Sequence, residues 1–378
     1  MSKTIHTTAE LAKHLGISRW AVSRAINGQP GVSEETVARV RRAMSELHFS
    51  PSPHARGLRG QRTGVIGLSI RNLNTQVAVE KITHAHHCIS NRGLHSLMAI
   101  SEDDPVRGTD MIKRFISMRA DGVILVDAPP PEVRETWLQM LRNAEIPAVM
   151  LEPRRPGDSN TVSLDRTEAL AKVTDHLLDL GHRHFALLGI SKKFPMGVPR
   201  HEGVRKALKA RGLDMKTCVD VFDMPEHRHL GMRYGHELAE LYLASKRRAT
   251  ALIALDDMVA TGAMWELQRN GVKVPRDCSL FGFDNLPFTE QMTPALSTVD
   301  HNVEKMAEAA VDMLQRLIVN NWESDEADAI NLSLPSIRLS ATLVLRDTTI
   351  APSQVTAPVH ETQSDGLDMR NITLPTLA

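Results

Sequence analysis

Residues 7–27, TTAELAKHLGISRWAVSRAIN, predict two short helices joined by a tight turn. Thr7 and Glu10 have the T-x-x-E spacing of a capping box, and the apolar residues that follow recur at helical spacing. Gly16 suits the left-handed turn that ends a helix, and Ser18 is a candidate N-cap for the next one. Two helices joined in this way form a helix-turn-helix, whose second helix enters the major groove of DNA.

The second helix has an exposed face with the side chains that such a groove requires. Arg19 or Arg24 can bond bidentately to guanine, and Trp20 can contact a thymine methyl or a sugar edge. The alternative is that both arginines are solvated surface charges. The agreement of cap, turn and helix length favours DNA contact. The candidate DNA contacts of this segment are Thr7, Ser18, Arg19, Trp20, Ser23, Arg24 and Asn27.

A third helix and a proline-marked segment complete this basic head. Ser33 is the predicted cap of the third helix, and Pro51 and Pro53 then interrupt the helical pattern. Residues 1–62 contain ten Lys or Arg and four Glu, a net charge of +6. Because the whole chain is formally neutral, the remainder carries −6. A basic head on an acidic body is typical of a nucleic-acid-binding protein.

Residues 4–62 resemble the DNA-binding head of the LacI/GalR family of bacterial repressors. The matching segments are Ile17-Ser18, Val22-Ser23-Arg24, Ile26-Asn27-Gly28, Val32-Ser33, Pro51 and the hinge segment Ala55 to Leu58. The resemblance implies that Arg19 and Trp20 set operator choice. It also implies a hinge helix, with Ala55 and Leu58 as DNA contacts and Leu58 as a wedge in the minor groove.

Length and composition predict a globular protein of two or three domains. The chain has 378 residues, and 42% of them are hydrophobic, which is enough for a packed core. Three cysteines without a shared motif are typical of a reducing cytosol. The N-terminus lacks the apolar core of a signal peptide, and no apolar run is long enough to span a membrane. We therefore expect a soluble, cytoplasmic protein.

The body alternates short apolar runs with helical patterns from residue 63 onward. A strand about every thirty residues, each followed by a helix, predicts βαβ units and parallel sheets. The fold class is therefore α/β, a small all-α head followed by two doubly wound parallel-sheet subdomains. The predicted strands are Val65 to Ile70, His95 to Ile100, Val123 to Val126, Ala148 to Leu151, Phe185 to Leu188, Val219 to Phe222, Ala251 to Leu255 and Ser279 to Phe283.

The family resemblance continues to about Thr349 and implies a body like a periplasmic sugar-binding protein. Three chain crossings between the subdomains are expected near residues 163, 296 and 333. The predicted divisions are a helix-turn-helix domain (1–50), a hinge (51–62), an effector-binding and dimerisation domain (63–349) and a disordered tail (350–378). Within that domain, the N-subdomain is 63–163 plus 296–332, and the C-subdomain is 164–295 plus 333–349.

The resemblance also implies an effector site between the two sheets, since ligands bind beyond the carboxyl ends of parallel strands. Arg200 and Asp284 match ligand-contacting positions. Asp256 falls where the family usually has asparagine, and Asn72 falls where an aspartate is common. The alternatives are that Asp256 or Asp257 caps the following helix, and that Arg200 is a surface charge.

The chemical class of the effector stays open at this point. Sugar hydroxyls both donate and accept, so they suit paired planar side chains. Residues 75–78, TQVA, replace two aromatic residues of the family pattern, so the usual stacking platform is missing. Arg71 favours an acidic ligand unless it is simply solvated. The expected effector is a sugar, a sugar acid or another small molecule, and comparing neutral sugars with uronic acids would distinguish the first two.

Other classes of function fit less well. No nucleophile elbow, phosphate-binding loop or zinc-protease motif occurs, so no enzyme activity and no cofactor are expected. A solute-binding protein would need export and no DNA-binding head. A regulator of the same fold without a small effector is the remaining alternative. Several histidines lie close together in the sequence but lack the further ligands that a zinc ion needs, so no metal is expected. These histidines are His84, His86, His87, His182, His184, His227 and His229. The predicted partners are an operator in double-stranded DNA, a small effector and a second copy of the chain, without a membrane.

Overall fold

A three-helix head opens the chain in the computed structural model. It consists of α1 (Thr8–Leu15), α2 (Arg19–Asn27) and α3 (Glu34–Glu46). These helices share a small apolar core built on Leu11, Ala12, Val22, Ala25, Val40, Ala43 and Phe49. The structure describes residues 5, 7–27, 29–47, 49, 62–102, 104–127, 131–153, 159–224, 231–245, 249–323 and 333–352. The predicted helix-turn-helix architecture of the head is confirmed.

The chain divides into two compact units. The first comprises Met1–Ala169, Lys193–Pro199 and Asp300–Thr342, and the second comprises Leu170–Lys192, Arg200–Val299 and the chain from Leu343 onward. Beyond the head, the first unit is built on β1 (Val65–Ile70), α4 (Gln76–Asn91), β2 (His95–Ile100), α5 (Pro105–Ser117), β3 (Gly122–Val126), α6 (Pro131–Asn143), β4 (Ala148–Leu151), β5 (Thr161–Leu164), α12 (Val303–Glu323) and β11 (Ile337–Leu339). Helix α7 (Arg166–Asp179) begins in the first unit and ends in the second.

The first unit contains a six-stranded parallel sheet in the order β11-β5-β4-β3-β1-β2. Helices α5 and α6 cover part of it through a core that includes Phe115 and Trp137. The central strands are buried on both faces, which explains why the sequence shows them as continuous apolar runs rather than alternating ones.

The second unit contains a four-stranded parallel sheet in the order β7-β6-β8-β9. Its elements after α7 are β6 (Phe185–Leu188), α8 (Gly197–Ala210), α9 (Met215–Cys218), β7 (Val219–Phe222), α10 (Met232–Ala244), β8 (Ala251–Ala254), α11 (Asp257–Arg269) and β9 (Ser279–Phe281), of which α8 begins in the first unit. A separate small sheet pairs β10 (Thr298–Asp300) with β12 (Thr342–Val344). Helices α10 and α11 pack through glycines: a Cβ on Gly235 would lie 2.0 Å from the Val259 carbonyl oxygen. The predicted parallel-sheet α/β class is confirmed.

Four strands and one boundary differ from the sequence prediction. Strands β5, β10, β11 and β12 were not predicted, because each is only three or four residues long. Strand β11 pairs with β5, with Ile337 opposite Val162, and therefore belongs to the first unit. The prediction that residues 333–349 lie wholly in the C-subdomain is thus wrong, and the chain leaves the first unit only after Thr342.

The predicted start of the disordered tail, residue 350, lies too early in the chain. The Ile350 carbonyl oxygen lies 2.9 Å from His182 Nε2, and the Ile350 N–H donates to Ser279 Oγ at 3.1 Å. These bonds attach residue 350 to the second unit. The remainder of the predicted tail, from residue 353, lies outside the described residues, as does the predicted hinge up to residue 61. In the described part of the chain, none of the helices combines the length and apolar character needed to cross a bilayer.

Candidate functional site

The recognition helix α2 is set in place by local caps. Thr7 and Glu10 form the predicted capping box, with both hydrogen bonds at 3.1 Å. Gly16 then ends α1 in the left-handed conformation, at φ 64°. Ser18 Oγ accepts from the N–H of Ala21 at 3.1 Å, which caps α2. The left-handed turn at Gly16 and the cap at Ser18 therefore set where α1 ends and α2 begins, as the sequence predicted.

The two faces of α2 differ as a DNA-reading helix requires. Val22 and Ala25 are buried in the core of the head. On the opposite face Arg19 is exposed, and 57% of Trp20 is accessible to solvent. Ser23 is half-buried, and the side chain of Asn27 lies outside the described residues. The DNA contacts predicted for all four of these residues remain predictions.

Arg24 makes contacts inside the head that the sequence did not indicate. Its guanidinium carbon lies 4.7 Å from the centre of the Trp20 ring, and Nη1 donates to the Pro30 carbonyl oxygen. Sequence patterns place Arg24 on the exposed face of α2 but cannot show a bond to a loop six residues further along the chain.

The chain that follows the predicted hinge is attached to the first unit by Asp121, a residue that the sequence did not indicate. Asp121, just before β3, accepts from the N–H groups of Thr63 and Gly64, each at 2.8 Å, and from Thr63 Oγ1 at 2.9 Å. Arg62 stacks over the Trp322 ring at 5.5 Å. Ala55 and Leu58, the predicted hinge contacts, lie outside the described residues.

Three of the four predicted effector residues come together in the second unit. Arg200 is buried on α8, and its guanidinium carbon lies 4.7 Å from the centre of the Phe283 ring. Asp256 follows β8, and Asp284 follows Phe283 beyond β9. Burial and the Asp284 carboxylate raise the pKa of Asp256 to about 6, against the opposing charge of Arg200. The carboxyl edge of this sheet therefore holds one arginine and two interacting carboxylates.

The helix-cap alternative for Asp256 also holds. Its Oδ1 accepts from the N–H of Val259 at 2.7 Å and caps α11. The neighbouring Asp257 is fully buried and accepts from Thr298 Oγ1 at 2.6 Å and from the Leu286 N–H at 2.8 Å. Burial raises the pKa of Asp257 to about 7, with Asp284 adding to the effect. Asp257 thus fastens the loop after β9 and has a structural role.

The fourth predicted effector residue, Asn72, lies in the first unit just after β1. Its Oδ1 accepts from the N–H of Asn74 at 3.2 Å, which stabilises the turn before α4. Its contact with a ligand stays a prediction.

The carboxyl edge of the first sheet also carries buried charges that the sequence analysis did not single out. Lys81 on α4 donates to Asp127 Oδ1 at 2.6 Å, and Arg166 donates to Glu152. Although burial alone would raise the pKa of Glu152, the charges of Arg166 and Lys81 lower it to about 2. Asp127 and Glu152 have φ values of 55° and 64°, so both leave their strands through left-handed turns.

Among the described residues, one cluster has the composition of a metal site. His236, Glu240 and Glu266 offer ligand atoms within 4.8 Å of one another. Glu266, however, already accepts from Asn270 Nδ2 at 2.6 Å and from Arg269 at 3.2 Å. Arg269 and Asn270 thus already occupy the carboxylate of Glu266, and we assign no metal to this cluster.

Comparisons with known proteins agree with this architecture. Residues 7–52 match the bacterial regulatory proteins of the lacI family, and residues 174–349 match a periplasmic binding protein-like domain. The chain is 30% identical over 348 residues to the HTH-type transcriptional repressor PurR of Pectobacterium atrosepticum, which covers 90% of this chain and 98% of that protein.

Two solved structures share the fold. One is the lac repressor dimer bound to operator and the anti-inducer ONPF, with a TM-score of 0.75, 21% identity, and coverage of 92% of this chain and 100% of that one. The other is a complex of the transcriptional regulator CelR with cellobiose, with a TM-score of 0.62, 24% identity, and coverage of 91% and 100%.

Head, fold and similarity together define a DNA-binding transcriptional regulator whose body has the fold of a ligand-binding protein. The chain belongs to the LacI family of bacterial regulatory proteins.

Proposed function

We propose that this regulator is a cytoplasmic repressor that binds a near-palindromic operator as a homodimer. One α2 helix from each copy would enter a major-groove half-site, the geometry that two-fold symmetric helix-turn-helix proteins use. The exposed Arg19 and Trp20 on a capped helix support this reading, as does the charge of +6 over residues 1–62. Since lysine and arginine contacts with phosphate displace counterions, operator affinity should fall steeply with salt.

The main support for control by a small effector is the grouping of Arg200, Asp256 and Asp284 in the second unit. A guanidinium donates hydrogen bonds and the two carboxylates accept them, which suits the adjacent hydroxyls of a sugar. Two acidic side chains against one arginine disfavour a further anion at this edge. The proposed effector is therefore a neutral, hydroxyl-rich molecule rather than a sugar acid, and its action is binding without catalysis.

Two measurements on the full chain test this function. The first is selection from fragmented genomic DNA, which should retain a short near-palindrome. The second is calorimetric titration with neutral sugars and with uronic acids. Arg200→Met should weaken binding of a neutral ligand at least about tenfold, the size of one lost charge-assisted hydrogen bond. Arg205→Met is the matched control, because Arg205 lies on the same helix but is exposed and paired with Glu202 at 2.6 Å.

Each part of the proposal has an outcome that contradicts it. Uronic acids that bind more tightly than neutral sugars would overturn the neutral class. Equal losses in the Arg200 and Arg205 variants would remove Arg200 from the site. If no metabolite pool changes either melting temperature or operator affinity, the chain is a regulator of this fold without a small effector.

A further inference from the structure

One segment of the otherwise acidic body is strongly basic. Residues 192–216 contain eight Lys or Arg and two acidic residues, a net charge of +6. Because residues 63–378 together carry −6, the rest of the body carries −12. The segment therefore has the same net charge as the head in less than half its length. Of its eight cations only Arg200 is buried, so the proposed effector site does not account for the others.

In the second unit these cations follow the exposed face of α8 and the turns beside it. Arg205 and Lys209 lie one helical turn apart and therefore share a face. A hydrogen bond from Arg205, together with the charges of Lys206 and Lys192, lowers the pKa of Glu202, so these three cations surround one carboxylate. We call the exposed cations of the second unit the basic stripe, which consists of Lys192, Arg205, Lys206, Lys209, Arg211 and Lys216.

The basic stripe is only partly neutralised by neighbouring acids. Arg205 pairs with Glu202 at 2.6 Å, and Arg211 pairs with Asp179 at 2.6 Å. In the described part of the chain, three lysines of the stripe form no ion pair with a carboxylate; they are Lys206, Lys209 and Lys216. The stripe therefore presents a net positive charge to solvent.

The composition of the basic stripe favours a phosphate backbone over a protein surface. Protein interfaces are depleted in lysine and depend on aromatic or apolar anchors. Residues 200–216, all of which the structure describes, expose no large hydrophobic side chain. The same lack of apolar anchors disfavours insertion into a membrane surface. Lysine meets phosphate as a point charge, which needs no exact geometry.

We propose that the basic stripe binds the phosphate backbone of a second DNA duplex, outside the operator and independently of sequence. The fourteen residues of α8 span about 21 Å, and one strand of B-DNA carries a phosphate every ~3.4 Å. Several lysines of the stripe can therefore meet phosphates of one strand. One molecule then holds two segments of DNA, one through the head and one through the second unit. The proposal goes beyond operator binding and uses it only to occupy the head during the test.

The test loads the full chain to saturation on immobilised operator and then adds a labelled duplex that lacks the operator. We expect the wild-type chain to retain this second duplex at about 50 mM salt and to release it towards about 200 mM. Lys206→Gln/Lys209→Gln/Lys216→Gln should bind it at least about tenfold more weakly. Since each phosphate contact contributes about 0.9 to the slope of log K against log salt, the slope should fall by about two to three.

A second triple variant separates the position of the lysines from the overall charge. Lys113→Gln/Lys273→Gln/Lys305→Gln removes the same charge from exposed lysines outside the stripe, and we expect it to retain the duplex as the wild type does. Equal losses in both triple variants would overturn the proposal, as would a wild type that retains no second duplex.

Operator binding is recorded for each chain before the second duplex is added, so its failure is visible separately. If the operator holds no chain, operator binding is contradicted. The same duplex is then applied to chains attached through a carboxyl-terminal tag. The stripe variant must still bind more weakly than the control variant, and equal binding would overturn the proposal there too.

Two further probes ask whether the basic stripe prefers DNA to other polyanions. Polyglutamate represents an acidic protein, and vesicles of phosphatidylserine represent a membrane. We expect neither to displace the duplex at equal concentration of negative charge. Preferential binding of either probe, lost in the Lys206→Gln/Lys209→Gln/Lys216→Gln variant, would assign the stripe to a protein or a membrane and overturn its assignment to DNA.

Discussion

Replacing Asp256 by asparagine should stabilise the second unit at neutral pH, contrary to the usual effect of changing a buried polar residue. Asp256 caps α11 through the N–H of Val259 at 2.7 Å, and asparagine is an equally good cap. The carboxylate, however, is partly buried beside Asp284, and burial together with that charge raises its pKa from 3.8 to about 6. Asparagine keeps the hydrogen bond and removes the repulsion.

The sign and size of this effect follow from linkage. A group whose pKa is raised by folding contributes most to stability while it is protonated, and that contribution is lost as the pH rises through its folded pKa. For Asp256 the loss develops between pH about 4 and about 6 and is complete above. A shift of about two pH units corresponds to about 3 kcal/mol for a fully shielded group. Since Asp256 is partly exposed, we expect about 1–2 kcal/mol.

Calorimetric unfolding of the full chain at pH 4.5, 5.5 and 7.5 measures this gain. For a domain of this size, 1–2 kcal/mol corresponds to a rise in Tm of about 2–8 °C. The rise should shrink towards pH 4.5. Asp104→Asn, at the cap of α5 in the first unit, is the matched control for the same substitution. A lower Tm for Asp256→Asn at pH 7.5, or an equal rise at every pH, would refute the linkage argument.

Three further predictions follow from the described contacts and from the hinge. Glu152→Gln should cost about 3–5 kcal/mol at pH 7, because it leaves the buried Arg166 without its counter-charge. Since the pKa of Glu152 is lowered to about 2, this cost should decrease as the pH falls below about 4.5 in calorimetric unfolding, and a constant cost would contradict it. Thr7→Ala should destabilise the head by about 1 kcal/mol, whereas Thr7→Ser should not; equal melting of both by circular dichroism would exclude the cap as the cause. Leu58→Ala should weaken operator binding more than nonspecific binding in filter-binding assays, and equal losses would argue against a minor-groove wedge.

The sequence predicted the head and most of the strands because both depend on local patterns. The cap at Thr7, the left-handed Gly16 and the cap at Ser18 each involve residues within four positions of their partners. The buried strands appear as apolar runs for the same local reason. Strands β5 and β11 were not predicted from the sequence because each is short. Their pairing also joins residues 175 positions apart, as in Val162 and Ile337.

The candidate site was predictable only in part, for a related reason. Arg200, Asp256 and Asp284 were predicted as ligand contacts from the motifs around them; the structure groups them at one sheet edge, and their contact with a ligand remains a prediction. The sequence could not show which distant residues pair with one another in hydrogen bonds and ion pairs. The bond of Asp121 to Thr63 and the ion pair of Lys81 with Asp127 join distant segments whose individual residues are unremarkable surface types.

Strand β1 connects two regions of functional interest inside the first unit. At its amino end, Thr63 and Gly64 donate to Asp121, directly after the segment predicted to be the hinge. At its carboxyl end, the chain turns into Asn72, the predicted ligand contact. Six residues of buried strand span about 20 Å, and a central strand paired on both sides does not bend easily. Strand β1 is therefore a short, stiff connection between Asn72, whose ligand contact is a prediction, and the Thr63–Gly64 segment that Asp121 holds.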